Sequence, residues 1–225
     1  MIQLVVFDMA GTTVDEDNLV YKTLRQSIEA AGHLVTLEQV LALGAGKEKR
    51  QAIVDLLESL SVPEPYARSA GIYADFSQRL SAAYHSAPVQ PCAGAEAVFR
   101  KLREQGVKVA LNTGYHRAIA TLLLQRLGWA LATHFDLLVT ADEVARGRPH
   151  ADMIHLAMHR LGIAEAQAVA KIGDSTVDIR EGQAAGCGLT VGITTGAHSR
   201  AQLEAVQPDQ VVDGLEEMLG LVQKA

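Results

Sequence analysis

A carboxylate stands at the end of the first apolar segment of the chain. The run Ile2 to Phe7 is short, apolar and rich in β-branched residues, which is typical of a strand buried on both faces, and it stops at Asp8. A small-residue turn with Ala10, Gly11 and Thr12 follows. A carboxylate at the carboxyl end of a central parallel strand points into the crevice where open α/β sheets bind ligands. Asp8 is therefore a candidate nucleophile or metal ligand, the alternative being an ordinary strand-to-loop turn.

Two further carboxylates follow a later apolar segment. Asp174 comes just after a predicted strand at Ala168 to Ile172, and Asp178 lies about one helical turn beyond it. If the strands of Asp8 and Asp174 are adjacent, the two carboxylates repel each other unless a cation lies between them. Hard oxygen ligands of this kind suit Mg²⁺. The sequence therefore predicts a Mg²⁺ site, the alternative being a helix N-cap at Asp174 and a first-turn acid at Asp178.

Groups that could hold an anion follow two other predicted strands. Thr113 offers a hydroxyl, and Gly114 offers an unobstructed backbone N–H at the start of a helix. Arg148 adds a charged fork suited to phosphoryl oxygens. Taken alone, Thr113 could equally be a helix cap and Arg148 a solvated turn residue. Together with a nucleophile and a metal, they indicate phosphoryl transfer through an aspartyl-phosphate.

The order of hydrophobic periods predicts the fold that positions these groups. After the first strand, helical segments alternate with strands predicted at Val107–Leu111, Phe135–Thr140, Ala168–Ile172, Leu189–Ile193 and Gln210–Val212. This alternation indicates an α/β fold with a doubly wound, Rossmann-like parallel sheet, whose ligand site lies at the carboxyl ends of the strands.

A mostly helical block separates the first two predicted strands. It is about 70 residues long, whereas loops of α/β units usually have about two to six residues. Helical spacing predicts helices at 18–31, 37–43, 47–60 and 65–83. We therefore expect an inserted, all-helical cap domain at residues 16–89 and a core domain at residues 1–15 and 90–225. Hinge motion is expected at Thr13–Asp17 and Pro88–Pro91.

Composition narrows the class of partner. The chain has 225 residues, 48% of them hydrophobic, with a net charge of −6, which disfavours nucleic acid as a partner. No stretch has the roughly 20 apolar residues of a membrane span. The isolated Cys92 and Cys187 are typical of thiols in a reducing compartment. We expect a soluble cytoplasmic protein, and apolar faces of the cap could support a homodimer.

The motifs taken together identify a resemblance. The segments VVFDMAGTTVD, NTG, GRP and IGDSTVD match, in order, the four motifs of the haloacid dehalogenase superfamily, and the insert lies where that superfamily has its helical cap. The resemblance implies that Asp8 is the nucleophile and that Thr113 and Arg148 act on the phosphoryl group. It also implies that Asp8, Ala10, Asp174 and Asp178 form the Mg²⁺ site, and that substrate contacts Ala10, Gly11, Thr12, Gly114, Tyr115 and Arg50.

One departure from the superfamily is informative. Most of its phosphatases have a second Asp two positions after the nucleophile, which protonates the leaving oxygen, but this chain has Ala10 there. A methyl group cannot donate a proton, and a positioned acid contributes roughly 10²- to 10⁴-fold to a rate. The phosphonoacetaldehyde hydrolase branch also has Ala at this place, followed by GTTVD, and it shares the GRP motif and an EGxxAG run, here Glu181 to Gly186. In that branch a cap lysine forms an imine with the substrate aldehyde, which then accepts the electrons of the broken carbon–phosphorus bond.

The resemblance places Lys47 at the position of that lysine. The segment GAGK, Gly44 to Lys47, lies where the branch has Gly-x-x-Lys, so Lys47 is the candidate Schiff-base residue. Simple anchoring of substrate and a solvated helix face are its alternatives. Arg50 stands where the branch has a His, and Tyr115 or a water is the candidate replacement for the proton transfer of that His.

Three functions follow from these features. The first is a Mg²⁺-dependent hydrolase that cleaves the carbon–phosphorus bond of phosphonoacetaldehyde or a similar small phosphonate. The second is a phosphomonoesterase for a small phosphorylated metabolite such as phosphoglycolate or a sugar phosphate. The third is a non-catalytic protein that binds a phosphorylated metabolite.

Overall fold

A six-stranded parallel sheet forms the centre of the molecule in a computed structural model that describes residues 1–225. The strand order is β5-β4-β1-β6-β7-β8. The strands are β1 (Leu4–Asp8), β4 (Lys108–Thr113), β5 (Leu137–Thr140), β6 (Val169–Gly173), β7 (Leu189–Ile193) and β8 (Gln210–Val212). Two short strands outside this sheet, β2 (Val14–Asp15) and β3 (Gln90–Pro91), pair antiparallel. The predicted α/β class and parallel sheet are confirmed.

Register places the ends of the central strands side by side. Strand β1 is buried along its whole length between β4 and β6. Asp8 pairs in register with Asn112 of β4, and Phe7 pairs with Ile172 of β6. Asp174 therefore follows its strand at nearly the level of Asp8, because parallel neighbours end at the same edge of a sheet.

Six helices cover the two faces of this sheet. They are α5 (Ala95–Glu104), α6 (Arg117–Leu127), α7 (Asp152–Leu161), α8 (Thr176–Ala185), α9 (Arg200–Glu204) and α10 (Glu217–Lys224). Helix α5 shows the periodicity that drives their packing, since Val98, Phe99 and Leu102 are buried on one side. Phe99 packs edge-on against Phe7 of β1, with ring centroids 5.2 Å apart.

The inserted block consists of four helices. They are α1 (Leu19–Ala30), α2 (Leu37–Gly44), α3 (Lys49–Ser59) and α4 (Pro65–Ser86). The chain leaves the core after β2 and returns at β3, and we propose residues 16–89 as the cap domain on that basis. The side chain of Arg126 on α6 donates to the carbonyls of Tyr84, His85 and Ala87, so a core helix holds the end of α4.

Three local features differ from the sequence predictions. The linkers at Thr13–Asp17 and Pro88–Pro91 contain the ribbon of β2 and β3, which two-residue strands could not reveal by periodicity. Helix α9 was also not predicted, because five residues are too short for a period. Helix α3 begins at Lys49 rather than Lys47, since the Glu48 side chain accepts the N–H groups of Arg50 and Gln51 as the N-cap.

Several expectations about the surface stay predictions. None of the helices is long and apolar enough to cross a membrane. The cytoplasmic location, the homodimer and the hinge motion are not decided by the fold. Leu34 and Tyr66 of the cap are large apolar residues that remain exposed. Cys92 and Cys187 are both free thiols.

Candidate active site

Asp8 ends β1 in a buried position at the edge of the sheet. Only 4% of the residue is exposed, and its Oδ1 accepts a hydrogen bond of 2.6 Å from Arg148 Nη1. Burial raises the pKa of Asp8, while the charges of Arg148 and Lys171 oppose that rise. A carboxylate in this position has a fixed direction and a free second oxygen, which is what a nucleophile toward phosphorus requires.

The turn after Asp8 is tied closely to Asp174. Thr12 Oγ1 donates to Asp174 Oδ1 at 3.2 Å, and Thr13 Oγ1 donates to the Asp8 carbonyl at 2.8 Å. Gly11 has a φ of +84°, and a Cβ there would lie 2.5 Å from Asp174 Oδ2, so only glycine fits. Ala10 is buried in the same turn and presents only a methyl group there.

Arg148 is buried and uses its whole guanidinium group within the site. Nη1 lies 3.1 Å from Asp178 Oδ1 as well as bonding Asp8. Nη2 donates to the carbonyl and the side-chain oxygen of Asn112 at 2.8 and 2.6 Å, and Nε donates to Glu181 at 3.0 Å. Burial alone would lower the pKa of Arg148, but the surrounding carboxylates outweigh it and raise the pKa. Arg148 therefore stays charged and fixes the direction of Asp8.

Lys171 is a second buried cation, which sequence reasoning missed. Its Nζ lies 2.7 Å from Asn112 Oδ1, 2.9 Å from Asp178 Oδ1 and 3.2 Å from Glu181 Oε2. Burial would raise the pKa of Asp178, but the charges of Arg148 and Lys171 outweigh it and lower the pKa. The available signal was a lysine in the middle of an otherwise apolar strand, AKIGD, because such a lysine must find partners.

The carboxylates of Asp8, Asp174 and Asp178 form a compact oxygen-rich group. One oxygen from each lies within 4.8 Å of the others. Burial, together with the charges of Asp8 and Asp178, raises the pKa of Asp174 well above its ordinary value. Asp178 Oδ1 accepts no hydrogen bond, although two cations lie close to it.

Charge balance supports a divalent cation among these groups. The buried cluster comprises four carboxylates and two cations, namely Asp8, Asp174, Asp178, Glu181, Arg148 and Lys171. When all six are ionised, the cluster has a net charge of −2, which the two positive charges of one Mg²⁺ would neutralise. Hard oxygen donors also match this ion. The residues present therefore fit the predicted Mg²⁺, which Asp8, Asp174 and Asp178 would hold beside the turn at Ala10.

The end of β4 lies close to the backbone of the cap. Thr113 is buried, and its Oγ1 accepts the N–H of Tyr115 at 3.2 Å. A Cβ at Gly114 would lie 2.5 Å from the Lys47 carbonyl oxygen and 2.9 Å from that of Gly46. The cap loop and the core loop can approach this closely only because position 114 has no side chain.

The cap loop also contacts the catalytic end of the sheet directly. The Gly46 carbonyl accepts from Arg148 Nη1 at 3.3 Å, whereas the Gly46 N–H donates within the cap, to Tyr21 Oη of α1 at 3.2 Å. A Cβ at Gly46 would lie 2.3 Å from Ser175 Oγ. In this structure the residue 16–89 segment therefore lies against the carboxyl end of the sheet, with the Gly46 backbone at one of the narrowest contacts.

The structure does not bring the Lys47 amine to Asp8. Lys47 Nζ forms a short ion pair with Asp55, and the side chain is 23% exposed. Both residues line a groove of about 470 Å³ between cap and core, beside Arg146 and His150. Arg50 also points elsewhere, since its guanidinium lies over the ring of the exposed Tyr66 and its Nε donates to Ser69 Oγ.

Lys49 is the cap lysine that lies inside. It is only 5% exposed, its Nζ donates to the Lys47 carbonyl at 2.6 Å, and it lies 5.3 and 5.6 Å from the ring centres of Tyr21 and Tyr115. Burial lowers the pKa of Lys49 to about 8, and Asp8 is the charge that most opposes this fall. Lys49 is thus a buried amine with a lowered pKa, on which the charge of Asp8 acts.

A second glycine–lysine frame could have revealed Lys49 in the sequence. The segment Gly46 to Lys49, GKEK, is also Gly-x-x-Lys, shifted by two residues from GAGK. Sequence reasoning also missed Glu16, a buried carboxyl that accepts a hydrogen bond of 2.8 Å from Tyr84 Oη. Its signal was an acid, Glu16, directly after the Asp15 that ends the GTTVD motif.

Comparison with known proteins agrees with this geometry. A family model described as haloacid dehalogenase-like hydrolase matches residues 2–186, a span that contains all four motifs. The chain belongs to the haloacid dehalogenase-like hydrolase family. The resemblance found in the motifs is thereby confirmed, and the protein is a hydrolase of this family.

Two relatives of this hydrolase have different names. A protein of Dickeya dadantii named "Probable phosphatase IndB" is 30% identical, and the match covers 98% of this chain and 93% of the relative. A protein of Latilactobacillus sakei named phosphonoacetaldehyde hydrolase is also 30% identical, with 85% of this chain and 75% of the relative covered. Relatives at the same identity therefore include both a phosphatase and a phosphonate hydrolase by name.

Solved structures share the fold of this hydrolase. The crystal structure of a hydrolase from Pseudomonas syringae has a TM-score of 0.87 at 18% identity, covering 99% of this chain and 98% of that one. A phosphonoacetaldehyde hydrolase-like protein from Oleispira antarctica has a TM-score of 0.80 at 22% identity, covering 99% and 92%. At these identities the likeness is one of fold.

Proposed function

We propose that this hydrolase cleaves the carbon–phosphorus bond of phosphonoacetaldehyde or a closely related small phosphonate aldehyde. The observation that carries the proposal is the buried Lys49 amine, which shares a closed site with Asp8 while Ala10 stands in the place of the usual acid. An unactivated carbon is a very poor leaving group, and an imine is an electron sink that makes its departure feasible. We assign the imine to Lys49 rather than to Lys47, because only the Lys49 amine is withdrawn from solvent and from ion pairs.

The proposed reaction uses one residue from each domain. The neutral Lys49 amine adds to the aldehyde carbon, and water leaves to give an iminium. An Asp8 carboxylate oxygen then attacks phosphorus, and the carbon–phosphorus electron pair moves into the iminium to give an enamine. A proton adds to the enamine carbon, and water hydrolyses the resulting imine to acetaldehyde and free Lys49. Water finally releases phosphate from Asp8.

Other residues of the chain support these two groups. Arg148 and Thr113 lie where phosphoryl oxygens would need compensating charge and a hydroxyl. Asp8, Asp174 and Asp178 would hold Mg²⁺, which when bound supplies positive charge to the nucleophile and to the phosphoryl oxygens. The closed cap excludes water while the iminium exists.

A phosphomonoesterase is the second candidate, and the relative named as a phosphatase favours it. In that function Lys49 would bind an anionic group of the substrate. Its weakness is Ala10, since an alkoxide leaving group needs a proton that a methyl group cannot supply.

One experiment separates the two candidates. Phosphate release is measured from phosphonoacetaldehyde and from a panel of phosphate esters that includes phosphoglycolate, with and without borohydride. We expect faster release from the phosphonate, inactivation by borohydride only when phosphonoacetaldehyde is present, and a reduced adduct on Lys49 by mass spectrometry. Faster turnover of an ester, with no adduct, would reject the phosphonate function.

The same preparations also test for a protein that only binds its ligand. Beryllofluoride mimics a phosphoryl group on an aspartate, and we expect it to bind in the presence of Mg²⁺ and to fail with the Asp8→Asn variant. Binding without release of phosphate from any substrate would favour a non-catalytic role.

A further inference from the structure

Glu16 is a buried acid in the segment that links the core to the cap. It lies between β2 and α1, is 4% exposed, and accepts the N–H of Val20 at 2.9 Å and the hydroxyl of Tyr84 at 2.8 Å on the same oxygen, Oε2. Both donors are uncharged, so no ion pair explains why a carboxyl stands here. Burying an ionisable group without a counter-charge is unfavourable, and functional sites are where such groups are found.

Two tyrosines extend from Glu16 toward Lys49. Tyr84 Oη lies 2.8 Å from Tyr115 Oη, and both tyrosines are buried. Tyr115 is also one of the two rings beside the Lys49 ammonium, 5.6 Å from ring centre to Nζ. Because Tyr84 gives its single proton to Glu16, Tyr115 must donate to Tyr84 when Glu16 is ionised. The chain of hydroxyls therefore has a direction that depends on Glu16.

Glu16, at one end of this chain, and Lys49, beside the ring at its other end, have pKa values shifted toward each other. Burial raises the pKa of Glu16 to about 7 and lowers that of Lys49 to about 8. The groups whose charge or hydrogen bonding acts on Glu16 are Tyr84 of α4, Lys49 of α3 and Lys22 of α1. A proton can pass between groups of similar pKa with little change in free energy, whereas ordinary values for a glutamic acid and a lysine differ by about six units.

We propose that Glu16 is a positioning residue that takes the proton from the Lys49 ammonium through Tyr115 and Tyr84 and returns it by the same path during imine formation, once the Lys49 side chain turns from the Lys47 carbonyl, to which its Nζ donates at 2.6 Å, toward the Tyr115 hydroxyl. This role rests on the proposed function of Lys49. Proton balance is complete. The Lys49 ammonium loses one proton to the Glu16 carboxylate, the neutral amine bonds to the aldehyde carbon, and the carbinolamine oxygen receives the same proton back when it leaves as water.

The hydroxyl chain gives the return step its direction. When Glu16 is protonated, its O–H can donate to Tyr84, Tyr84 can donate to Tyr115, and the Tyr115 proton is then no longer donated to Tyr84. Protonation of Glu16 thus leaves Tyr115 able to donate to a group bound at Lys49. A general acid is otherwise missing from this site, because Ala10 occupies its usual place.

The test measures imine formation rather than turnover. The full-length protein is mixed with phosphonoacetaldehyde and borohydride between pH 5.5 and 9, and the rate at which reduced adduct forms on Lys49 is followed by mass spectrometry. The variants are Glu16→Gln, which keeps both acceptor contacts, and Tyr84→Phe, which keeps Glu16 but breaks the hydroxyl chain. Tyr73→Phe is the matched control, because Tyr73 is on the same helix but outside the chain.

The expected results differ from those of a purely structural role. Glu16→Gln and Tyr84→Phe should each slow adduct formation by about 10²-fold at pH 7, the typical contribution of a positioned acid–base group. The limb of the pH profile near pH 7 should disappear in Glu16→Gln, and Tyr73→Phe should behave as wild type. Melting temperature and beryllofluoride binding report whether each variant is folded. If the Glu16→Gln variant is not folded, the rate of adduct formation in Tyr84→Phe tests the proposal.

Two negative results are distinguishable. If wild type forms adduct and both folded variants form it at the wild-type rate with the wild-type pH profile, Glu16 has no part in proton transfer and the inference is wrong. If wild type forms no adduct at any pH, the proposed function of Lys49 is itself rejected, and the role of Glu16 is rejected with it.

Discussion

Replacing Lys49 with Met should remove imine formation and, at the same time, make the folded protein more stable. Burial lowers the pKa of Lys49 from 10.5 to about 8. At about 1.4 kcal/mol per pKa unit, the folded state is less stable at neutral pH by roughly 3 kcal/mol than it would be with an uncharged side chain there. Methionine has a similar length and no charge, so Lys49→Met should gain a large part of this free energy of unfolding.

The sign of the pH dependence provides an independent check. An unfolded lysine keeps its proton up to about pH 10.5, whereas folded Lys49 releases it near pH 8. The unfolded state therefore binds more protons in this window, and the free energy of unfolding of wild type should rise between pH 8 and pH 10.5. The Lys49→Met variant lacks this titration, so its advantage should shrink as the pH approaches 10.5.

The lowered pKa of Lys49 also increases the fraction of its amine that is neutral and able to react with an aldehyde. At pH 7.5 roughly one quarter of Lys49 is neutral, compared with about one in 1,000 for a lysine with the ordinary pKa, a difference of about 200-fold in reactive amine.

Urea unfolding at several pH values, together with borohydride trapping, measures both effects. Lys47→Met is the matched control, because its partly exposed ion pair with Asp55 should contribute no more than about 1 kcal/mol and its adduct yield should equal that of wild type. A Lys49→Met protein that is less stable than wild type at pH 7 would refute the reasoning. So would adduct formation that depends on Lys47.

Three further predictions concern the core side of the site. Ala10→Asp should raise kcat/KM for phosphate esters by about 10²- to 10⁴-fold, because it restores a proton donor, and a steady-state assay with phosphoglycolate checks this. Arg148→Ala should lower the free energy of unfolding by about 3–5 kcal/mol in urea titrations, because it leaves Asp8, Asp178 and Glu181 buried without their shared cation. Mg²⁺ should raise the melting temperature more at pH 8 than at pH 5, and EDTA should reverse the effect. The reason is that burial and neighbouring carboxylates raise the pKa of Asp174, so that protons compete with the metal at the lower pH. Equal shifts at the two pH values would contradict this.

The sheet and the positions of its functional loops could be predicted because both are local in the sequence. Strands β1 and β6 are short and mostly apolar, and a small or polar residue ends or follows each of them at the same edge of the sheet. Parallel topology then brings Asp8 and Asp174 together without further information. The strand at Leu189–Ile193 was predicted to the residue.

The orientation of side chains in the cap could not be predicted in the same way. Gly-x-x-Lys occurs twice within six residues, and the start of α3 decides which lysine faces the core. That start depends on the Glu48 side chain as N-cap, which a charged run does not disclose. The bond between Glu16 and Tyr84 joins residues 68 positions apart, so no spacing rule reveals it.

Because Gly114 has no side chain, the loop that contains it can approach the backbone of Gly46 and Lys47 closely. A single added methyl would lie 2.5 Å from the Lys47 carbonyl oxygen, whereas non-bonded heavy atoms need about 3.5 Å. Gly114→Ala should therefore hold the loop at Lys47 about 1 Å farther from the loop at position 114. A displacement of that size can slow a reaction about 10²-fold. Such a protein would keep the groups proposed to react and to hold the metal, yet it would work poorly because the lysine and the aspartate would be held too far apart.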